Sequence, residues 1–351
     1  MKPPPNVVMS PGQRNILRNV SRSFDLSIRL LPSTLQAPVA IGYLLARATD
    51  TVADTGALDL NERRVLLNLM TQIIASPAQD TAQTQEVSRL SQAFAAQQTD
   101  PHERALMQAL PQCLPLIQAL DEADQASVRQ VLGHITRGQQ GDMTRFGPGL
   151  NALNTQAELE DYTWCVAGSV GEFWTELCTR HLPGHAHLPQ AEMMQIGREY
   201  GKGLQRLNIL RDAGCDLAAG RCYFPIENLT RFGLTPQQLA EAARENAAHS
   251  PATLKSFEPL FSEWLDHTQT QLAGGMRYAT ALKPLRLRLA SALPALIGAR
   301  TVALLRQTGP AALTQRIKMP RHEMRRMMWQ IALCLGSAAS LTRQFEKMSV
   351  H

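Results

Sequence analysis

Apolar residues in this chain recur at helical spacing, and this pattern limits the fold more than any other feature of the sequence. Ile41, Leu44, Leu45 and Ala48 form one such stripe, and similar stripes follow along most of the 351 residues. Residues three and four positions apart lie on one face of an α-helix, which can bury that face against a neighbour. No convincing period-2 alternation of half-buried strands is present. The pattern predicts an all-α protein of roughly ten helices.

Glycine- and proline-containing stretches separate the predicted helices, and two of them carry helix-start chemistry. Asp100 before Pro101 and Thr235 before Pro236 each predict an N-cap followed by proline in the first turn. The connections are short, and neither a repeat nor a clear linker is apparent. We therefore predict a loose tail over residues 1–12 and a single all-α domain over residues 13–351.

The composition argues against several classes of protein. The formal net charge is +5 without a Lys/Arg-rich low-complexity tail, so we expect no nucleic-acid partner. The six cysteines form no C-x-x-C pair and no signal peptide is evident, which predicts reduced thiols in a cytoplasmic chain. Apolar runs such as Leu289–Ala299, broken by Pro294, are shorter than the ~20 residues of a spanning helix. We predict no transmembrane segment.

Two acidic boxes interrupt the otherwise apolar helices. In the first, ARATDTVADTG, Asp50 and Asp54 lie four residues apart and Arg47 lies one turn earlier. In a helix these three side chains share one face. A solitary D-x-x-x-D is usually a solvated helix face, but the segment that leads into this one is too apolar for a solvent face.

The second box, LNILRDAGCD, repeats the pattern behind Arg211. Gln205, Asn208, Asp212 and Asp216 step by three, four and four residues and form one polar ridge. Like charges at this spacing weaken a helix by a few tenths of a kcal/mol. Gly214 inside the ridge adds up to ~1 kcal/mol. A bound cation is the simplest offset to both costs.

The ligand types favour Mg²⁺ as that cation. Carboxylates are hard oxygen donors, and no histidine stands at ligand spacing in either box, which argues against zinc and iron. Mg²⁺ is usually shared between one or two carboxylates and substrate phosphates, and the adjacent arginines suit phosphate oxygens. No P-loop or G-x-G-x-x-G is present. The boxes therefore predict binding of a diphosphate through bridging metals.

Four stretches together resemble the squalene and phytoene synthase family. They are SRSFDLSIRLLP, YLLARATDTVAD, DYTWCVAGSVGE and GKGLQRLNILRDAGCDLAAGRCYFP, which run from about residue 21 to 225. The resemblance implies an isoprenoid-synthase-like helical fold with a central cavity, in which two prenyl diphosphates are condensed head to head. Small residues in the third stretch would line that cavity or let helices pack closely.

The resemblance also implies roles for individual residues. Metal binding and catalysis would fall to Asp50, Asp54, Asp212 and Asp216, with Tyr162 assisting the first half-reaction. The substrate and its diphosphate would contact Ser21, Phe24, Tyr43, Arg47, Gln205, Asn208 and Arg211. An NADPH cofactor would contact Arg22, Arg47, Asn208, Arg211, Lys318 and Arg321.

Three positions depart from the family pattern. Ala53 and Cys215 stand where acidic residues are common, and Cys165 replaces an aromatic residue before V-A-G.

Threonine after the first aspartate, in R-A-T-D-T-V-A-D, looks closer to squalene synthases than to carotenoid synthases. The resemblance therefore favours farnesyl diphosphate as substrate and reduction to squalene. The alternatives are a dehydrosqualene or phytoene synthase without reduction, a non-catalytic relative, or an unrelated helical scaffold that binds phospholipid.

A basic segment near the C-terminus, QRIKMPRHEMRRMM, has two interpretations. In position it resembles the segment that binds the NADPH phosphates in squalene synthases. It would equally suit a solvated helix face or a patch that docks on an anionic membrane surface. Because the expected product is apolar, we predict a cytoplasmic protein that is peripheral on the inner face of the membrane.

Overall fold

The computed structural model describes residues 9–21, 28–29, 31–54, 59–76, 81–244, 251–315, 317–333 and 337–350, with the backbone alone for residues 321, 328, 331–333 and 350. The chain divides into two compact units. The first comprises Met1–Met143 with Glu176–Pro183, and the second comprises Thr144–Thr175 with Gly184–His351. The prediction of a single domain from residue 13 stays a prediction.

The first unit is built from helices that pack against one another. Its helices are α1 (Pro11–Ser21), α2 (Ser33–Asp54), α3 (Leu60–Ala75), α4 (Thr81–Gln97), α5 (Pro101–Cys113), a 3₁₀ turn (Leu114–Ala119) and α6 (Glu122–Arg145), which runs on past the unit. Helix α5 packs against α1, α2 and α4, and α3 packs against α2 and α4. The predicted stripe on α2 is buried, since Ile41, Leu44, Leu45 and Ala48 are all fully enclosed.

The second unit contains most of the long helices. Its elements are α7 (Gln156–Thr163), a π-helical turn (Trp164–Gly168), α8 (Ser169–His181), α9 (Gln190–Ala218), α10 (Ile226–Thr230), α11 (Pro236–Arg244), α12 (Pro251–Ala281), α13 (Leu285–Thr308), a 3₁₀ turn (Gly309–Leu313), α14 (Arg321–Leu333) and α15 (Ala338–Val350). The residues of α8 from Glu176 onward are assigned to the first unit. Helix α12 packs between α9 and α13, and α15 packs on both α12 and α13. The core lies along this α9–α12–α13 arrangement.

The described residues contain little β-structure. Two-residue strands β1 (Asn151–Ala152) and β2 (Arg221–Cys222) pair in parallel, Asn151 with Arg221 and Ala152 with Cys222. This pairing fixes the chain that follows α9 against the segment that precedes α7. The all-α prediction is confirmed.

Glycines on α8 and α9 allow neighbouring backbones to approach closely. A Cβ on Gly171 would lie 1.9 Å from the carbonyl oxygen of Gly197, and one on Gly201 would lie 2.2 Å from that of Ala167. The small residues of the third sequence stretch therefore serve helix packing. Gly214 has the same role, because a Cβ there would lie 1.9 Å from the carbonyl oxygen of Leu313. Its presence is explained by this contact and requires no offset from a bound cation.

Helix α13 and the turn after it, Leu285–Leu313, are long and apolar enough to cross a membrane by length and composition. A core helix of a water-soluble protein passes the same test. Leu287, Leu296, Ala299 and Leu305 on this segment are buried in the second unit. The apolar character of α13 is thus accounted for by packing against α12 and α15.

Candidate active site

The first acidic box forms the C-terminal end of α2. Arg47 donates from Nη1 to Oδ2 of Asp50 at 2.6 Å, and its Nη2 donates to Oε1 of Glu103 on α5. Gln98 donates to the other oxygen of Glu103 at 3.2 Å. Asp54, the last residue of α2, is exposed. Arg47 is therefore held between one carboxylate of the box and one from a neighbouring helix.

The electrostatics of this box disfavour a second negative charge. Burial, together with the like charge of Asp54, raises the pKa of Asp50 to about 6, although Arg47 acts in the opposite direction. Burial alone would lower the pKa of Arg47, but Asp50 and Glu103 more than compensate and raise it. The carboxylate pair thus carries negative charge that Arg47 only partly balances. A divalent cation on Asp50 and Asp54 would relieve this repulsion.

Other residues predicted for the first unit are only partly placed. Ser21 ends α1 and is buried, and its Oγ has no hydrogen-bond partner among the described residues. Tyr43 lies one turn before Arg47 and donates to the carbonyl of Val20 at 3.4 Å. Burial raises the pKa of Tyr43. Arg22 and Phe24 lie outside the described residues.

The second acidic box lies on α9, where the predicted polar ridge is present. Arg211 forms a fork with Asp212, from Nε to Oδ1 at 3.1 Å and from Nη2 to Oδ2 at 2.5 Å. Asn208 is exposed and donates to Oε1 of Gln205 at 3.3 Å. This box, like the first, therefore pairs a half-buried aspartate with an adjacent arginine.

Asp216 has a cationic partner that the predicted residue set missed. Arg221, on β2, donates to Oδ1 of Asp216 from Nε at 3.2 Å and from Nη2 at 2.7 Å. The Asp216 side chain is 15% exposed, less than those of Asp50 at 40% and Asp212 at 31%. The arginine of the closing G-R-x-Y-x-P was the available signal. The β1–β2 pairing holds it at this position.

Tyr162 belongs to an aromatic cluster beside the second box. Its ring stacks on Tyr223 with centroids 5.1 Å apart, and Phe146 meets Tyr223 edge-on at 5.0 Å. The Tyr162 hydroxyl lies 3.4 Å from the Tyr223 hydroxyl and 3.4 Å from the side-chain amide nitrogen of Gln205. Tyr162 is thus next to the polar ridge, and its role in the first half-reaction stays a prediction. Phe146 and Tyr223 were not predicted as site residues.

A buried ionic network fixes α7, which carries Tyr162, to α9 and α12. The Arg206 side chain is 2% exposed and donates to Glu160 at 2.5 Å and to Gln271 at 2.7 Å. Lys202 binds the second oxygen of Glu160. These two cations lower the pKa of Glu160 against the opposing effect of burial. The network orients the helix turn on which Tyr162 lies.

The basic segment predicted to bind NADPH is partly described. Lys318 is exposed in the loop before α14, and α14 begins at Arg321, whose side chain lies outside the described residues. Arg316 lies outside them as well. The assignment of Lys318 and Arg321 to NADPH stays a prediction.

A separate cluster in the first unit has the ligand types of a metal site. Oxygen and nitrogen ligand atoms of Asp121, Asp124 and His181 lie within 4.8 Å of one another. Asp124 already accepts from Nη1 of Arg180 at 2.7 Å and from Nε2 of His181 at 2.8 Å. Because a guanidinium already binds this carboxylate, we assign the cluster to an internal ion pair.

Comparisons with known proteins place these features in a family context. A family model described as Squalene/phytoene synthase matches residues 17–323. The bifunctional lycopene cyclase/phytoene synthase of Colletotrichum graminicola is 26% identical over 230 residues, which cover 64% of this chain and 36% of that protein. The probable squalene synthase of Neurospora crassa is 26% identical over 210 residues, covering 60% and 40%.

Solved structures share the helical architecture. A TcSQS complex with the ligand BPH1237 has a TM-score of 0.73 at 18% identity and covers 96% of this chain and 89% of its own. At that identity the likeness establishes the fold. The matched region spans about a third of the length of the first curated relatives, at 36% and 32%.

Proposed function

Since this chain belongs to the squalene/phytoene synthase family, we propose that it joins two farnesyl diphosphates head to head. The first half-reaction would form a cyclopropyl diphosphate, and the second would reduce it with NADPH to squalene. The observation that carries the proposal is the construction of the two acidic boxes. Each places a D-x-x-x-D pair on one helix face with an arginine bound to a member of the pair.

The donor set of both boxes fits Mg²⁺. Asp50, Asp54, Asp212 and Asp216 offer carboxylate oxygens. The pKa of Asp50 is raised by burial and then by repulsion from Asp54, and a cation would relieve that repulsion. When bound, Mg²⁺ would supply stabilisation of the charge that develops on a departing diphosphate. The arginines are already held near carboxylates, so each needs only to exchange or share a partner to reach a phosphate oxygen.

The chain's own residues would divide the remaining work. Arg47, Arg211 and Arg221 would orient the diphosphate by charge-assisted hydrogen bonds. Tyr162 would present a π face and a hydroxyl to the reacting allylic groups, because stacking on Tyr223 fixes its ring. The Glu160–Arg206 network would maintain that orientation during turnover.

Product analysis tests the proposal directly. Incubation with C15 and C20 prenyl diphosphates, each with and without NADPH, should give squalene only from the C15 substrate with NADPH. The names of several relatives favour phytoene synthase as a second candidate. A product from C20 units that is unchanged by NADPH would establish that alternative. A non-catalytic relative would release no pyrophosphate under any of these conditions.

Substitutions in the boxes separate metal-dependent catalysis from folding. Asp50→Asn and Asp212→Asn should each abolish turnover and preserve the fold, because they relieve like-charge repulsion. Asp266→Asn is the matched control, since that aspartate is 70% exposed and remote in sequence from both boxes. Full activity in either box variant, or activity that EDTA does not affect, would contradict the two-box proposal.

The reductant can be tested at the basic segment. Replacing Lys318 and Arg321 together with alanine should spare farnesyl diphosphate consumption while squalene falls and the unreduced product accumulates. Loss of each charge-assisted hydrogen bond costs ~1.5–3 kcal/mol, so the affinity for NADPH should fall by roughly tenfold or more. Equal loss of both half-reactions would show that the segment does not serve the reductant.

We further propose a cytoplasmic location with peripheral attachment to an anionic membrane surface. An apolar C30 product cannot accumulate in water, so discharge into a bilayer is expected. Sedimentation with anionic liposomes that salt reverses would support this location. Indifference to such liposomes would contradict it.

A further inference from the structure

Helix α14 has an inner face that is firmly attached to the second unit. Glu323 accepts two hydrogen bonds from Arg300 on α13, at 2.6 and 3.0 Å. One turn later Met327 is fully buried in the core, and Met324 packs against the same core. The orientation of α14 about its own axis is therefore set by contacts on one side.

The opposite face of α14 presents cations and a large aromatic ring to solvent. His322, Arg325 and Trp329 follow at spacings of three and four residues, and Arg326 lies one turn before Trp329, so they share one side of the helix. All four are exposed, and Trp329 is 69% exposed, the highest value among the exposed large apolar side chains. We call these four residues the basic–tryptophan face.

This face carries a net positive charge. Glu323 is the one acidic residue in the α14 sequence; it binds Arg300 on the inner side and also attracts His322 and Arg326, so one carboxylate faces several cations. An arginine beside an exposed tryptophan suits the surface of a lipid bilayer. Guanidinium groups bind lipid phosphates, and an indole ring prefers the boundary between headgroups and acyl chains.

We propose that the basic–tryptophan face docks on the surface of an anionic lipid bilayer. Arg325 and Arg326 would contact the phosphates, and Trp329 would insert at the headgroup level. The biological rationale rests on the proposed function, because an apolar product needs a membrane to receive it. The binding itself is independent of turnover and can be measured without substrate.

The first test is partitioning of the full chain onto vesicles of phosphatidylcholine with and without phosphatidylglycerol. Each Lys or Arg near an anionic surface contributes about fivefold in partitioning. Arg325→Glu combined with Arg326→Glu should therefore lower binding by at least ~25-fold. The control reverses two other exposed arginines of the same unit, Arg231→Glu with Arg277→Glu, for the same change in net charge. It should bind nearly as well as the unaltered protein.

A second test reports the depth of the helix. Brominated lipid chains should quench part of the intrinsic fluorescence of the bound protein, and Trp329→Phe should remove that quenched part while the other three tryptophans continue to emit. Circular dichroism of each variant verifies that the fold is retained.

Three results would overturn the proposal. The first is equal loss of binding in the control, which would indicate a general charge effect. The second is self-association of the unaltered protein without lipid that Trp329→Ala abolishes, which would make the face a contact between copies. The third is an increased KM for NADPH in the Arg325/Arg326 variant with normal vesicle binding. Absence of any prenyltransferase activity alongside specific vesicle binding would refute the proposed function and leave the docking surface intact.

Discussion

Replacing Gly214 with alanine distinguishes two explanations for a glycine in the second acidic box. From helix propensity alone, Gly214→Ala should stabilise α9 by up to ~1 kcal/mol. The structure predicts the opposite sign, because the added Cβ would lie 1.9 Å from the backbone oxygen of Leu313. Overpacking of this kind costs typically ~1–3 kcal/mol, and a backbone atom has less freedom to move than a side chain. A clash at the upper end of that range minus the propensity gain leaves a net loss of ~2 kcal/mol.

Urea and thermal denaturation measure this difference. For a protein of this size a loss of ~2 kcal/mol should lower the Tm by roughly 3 °C. Gly274 on α12 provides a matched control in the same unit, since the nearest atom to its added Cβ is a methyl of Ile196 at 3.9 Å. Gly274→Ala should therefore gain up to ~1 kcal/mol.

If Gly214→Ala is as stable as the unaltered protein, or more stable, the packing argument is refuted. A further consequence concerns Asp212 and Asp216, which flank the clash. Any shift of α9 away from Leu313 would move both, so Mg²⁺-dependent turnover should fall in Gly214→Ala and remain normal in Gly274→Ala.

Three other perturbations follow from the site. Glu160→Gln leaves Arg206 buried without its counter-ion and should destabilise the fold by ~3 kcal/mol at neutral pH. Because the fold lowers the pKa of Glu160, that contribution is complete above its unfolded value near ~4.3 and is lost as the pH falls through the folded value. The stability gap between the two proteins in urea should accordingly close below about pH 4, and a constant gap would contradict the linkage. Glu103→Gln removes one carboxylate partner of Arg47, so Arg47 should bind Asp50 more strongly. Half-saturation of activity with Mg²⁺ should then require on the order of threefold to tenfold more metal. An unchanged metal dependence would show that Glu103 does not position Arg47. Tyr162→Phe keeps the stack on Tyr223 and loses the long hydrogen bonds of the hydroxyl to Tyr223 and Gln205, so the Tm should stay within ~2 °C while product formation drops. A normal rate would remove Tyr162 from the proposed mechanism.

Features encoded over a few consecutive residues were predictable from the sequence. Asp100 caps α5 through the backbone N–H groups of His102 and Glu103, with Pro101 in the first turn. Thr235 accepts from Gln238 at 3.3 Å before α11 begins at Pro236. Both caps were expected, because the donor and acceptor lie within one turn of each other. The polar ridge on α9 was predictable for the same reason.

Contacts between residues distant in the chain were not predictable. Glu103 meets Arg47 across 56 positions, and no local pattern indicates which of several acids on α5 or its neighbours would do so. Helix propensity alone makes Gly214 a weak point of its helix, whereas the contact that requires glycine there is with Leu313, which is distant in the chain. Strands of two residues, such as β1 and β2, are too short to produce a periodic signal. The two-unit division likewise depends on packing that composition does not reveal.

The π-helical turn between α7 and α8 sets the angular relation between the segments on either side of it. Tyr162 and Gly171 are nine positions apart, so in a continuous α-helix they would point in opposite directions, about 180° around the axis. A π turn accommodates one extra residue, which reduces this angle to roughly 80°. Both positions can then face α9, where Tyr162 meets Gln205 and Gly171 meets Gly197. The number of residues in Trp164–Gly168 is therefore as important as their identity. Deleting any one of them would regularise the helix and rotate one of these two contacts away from α9.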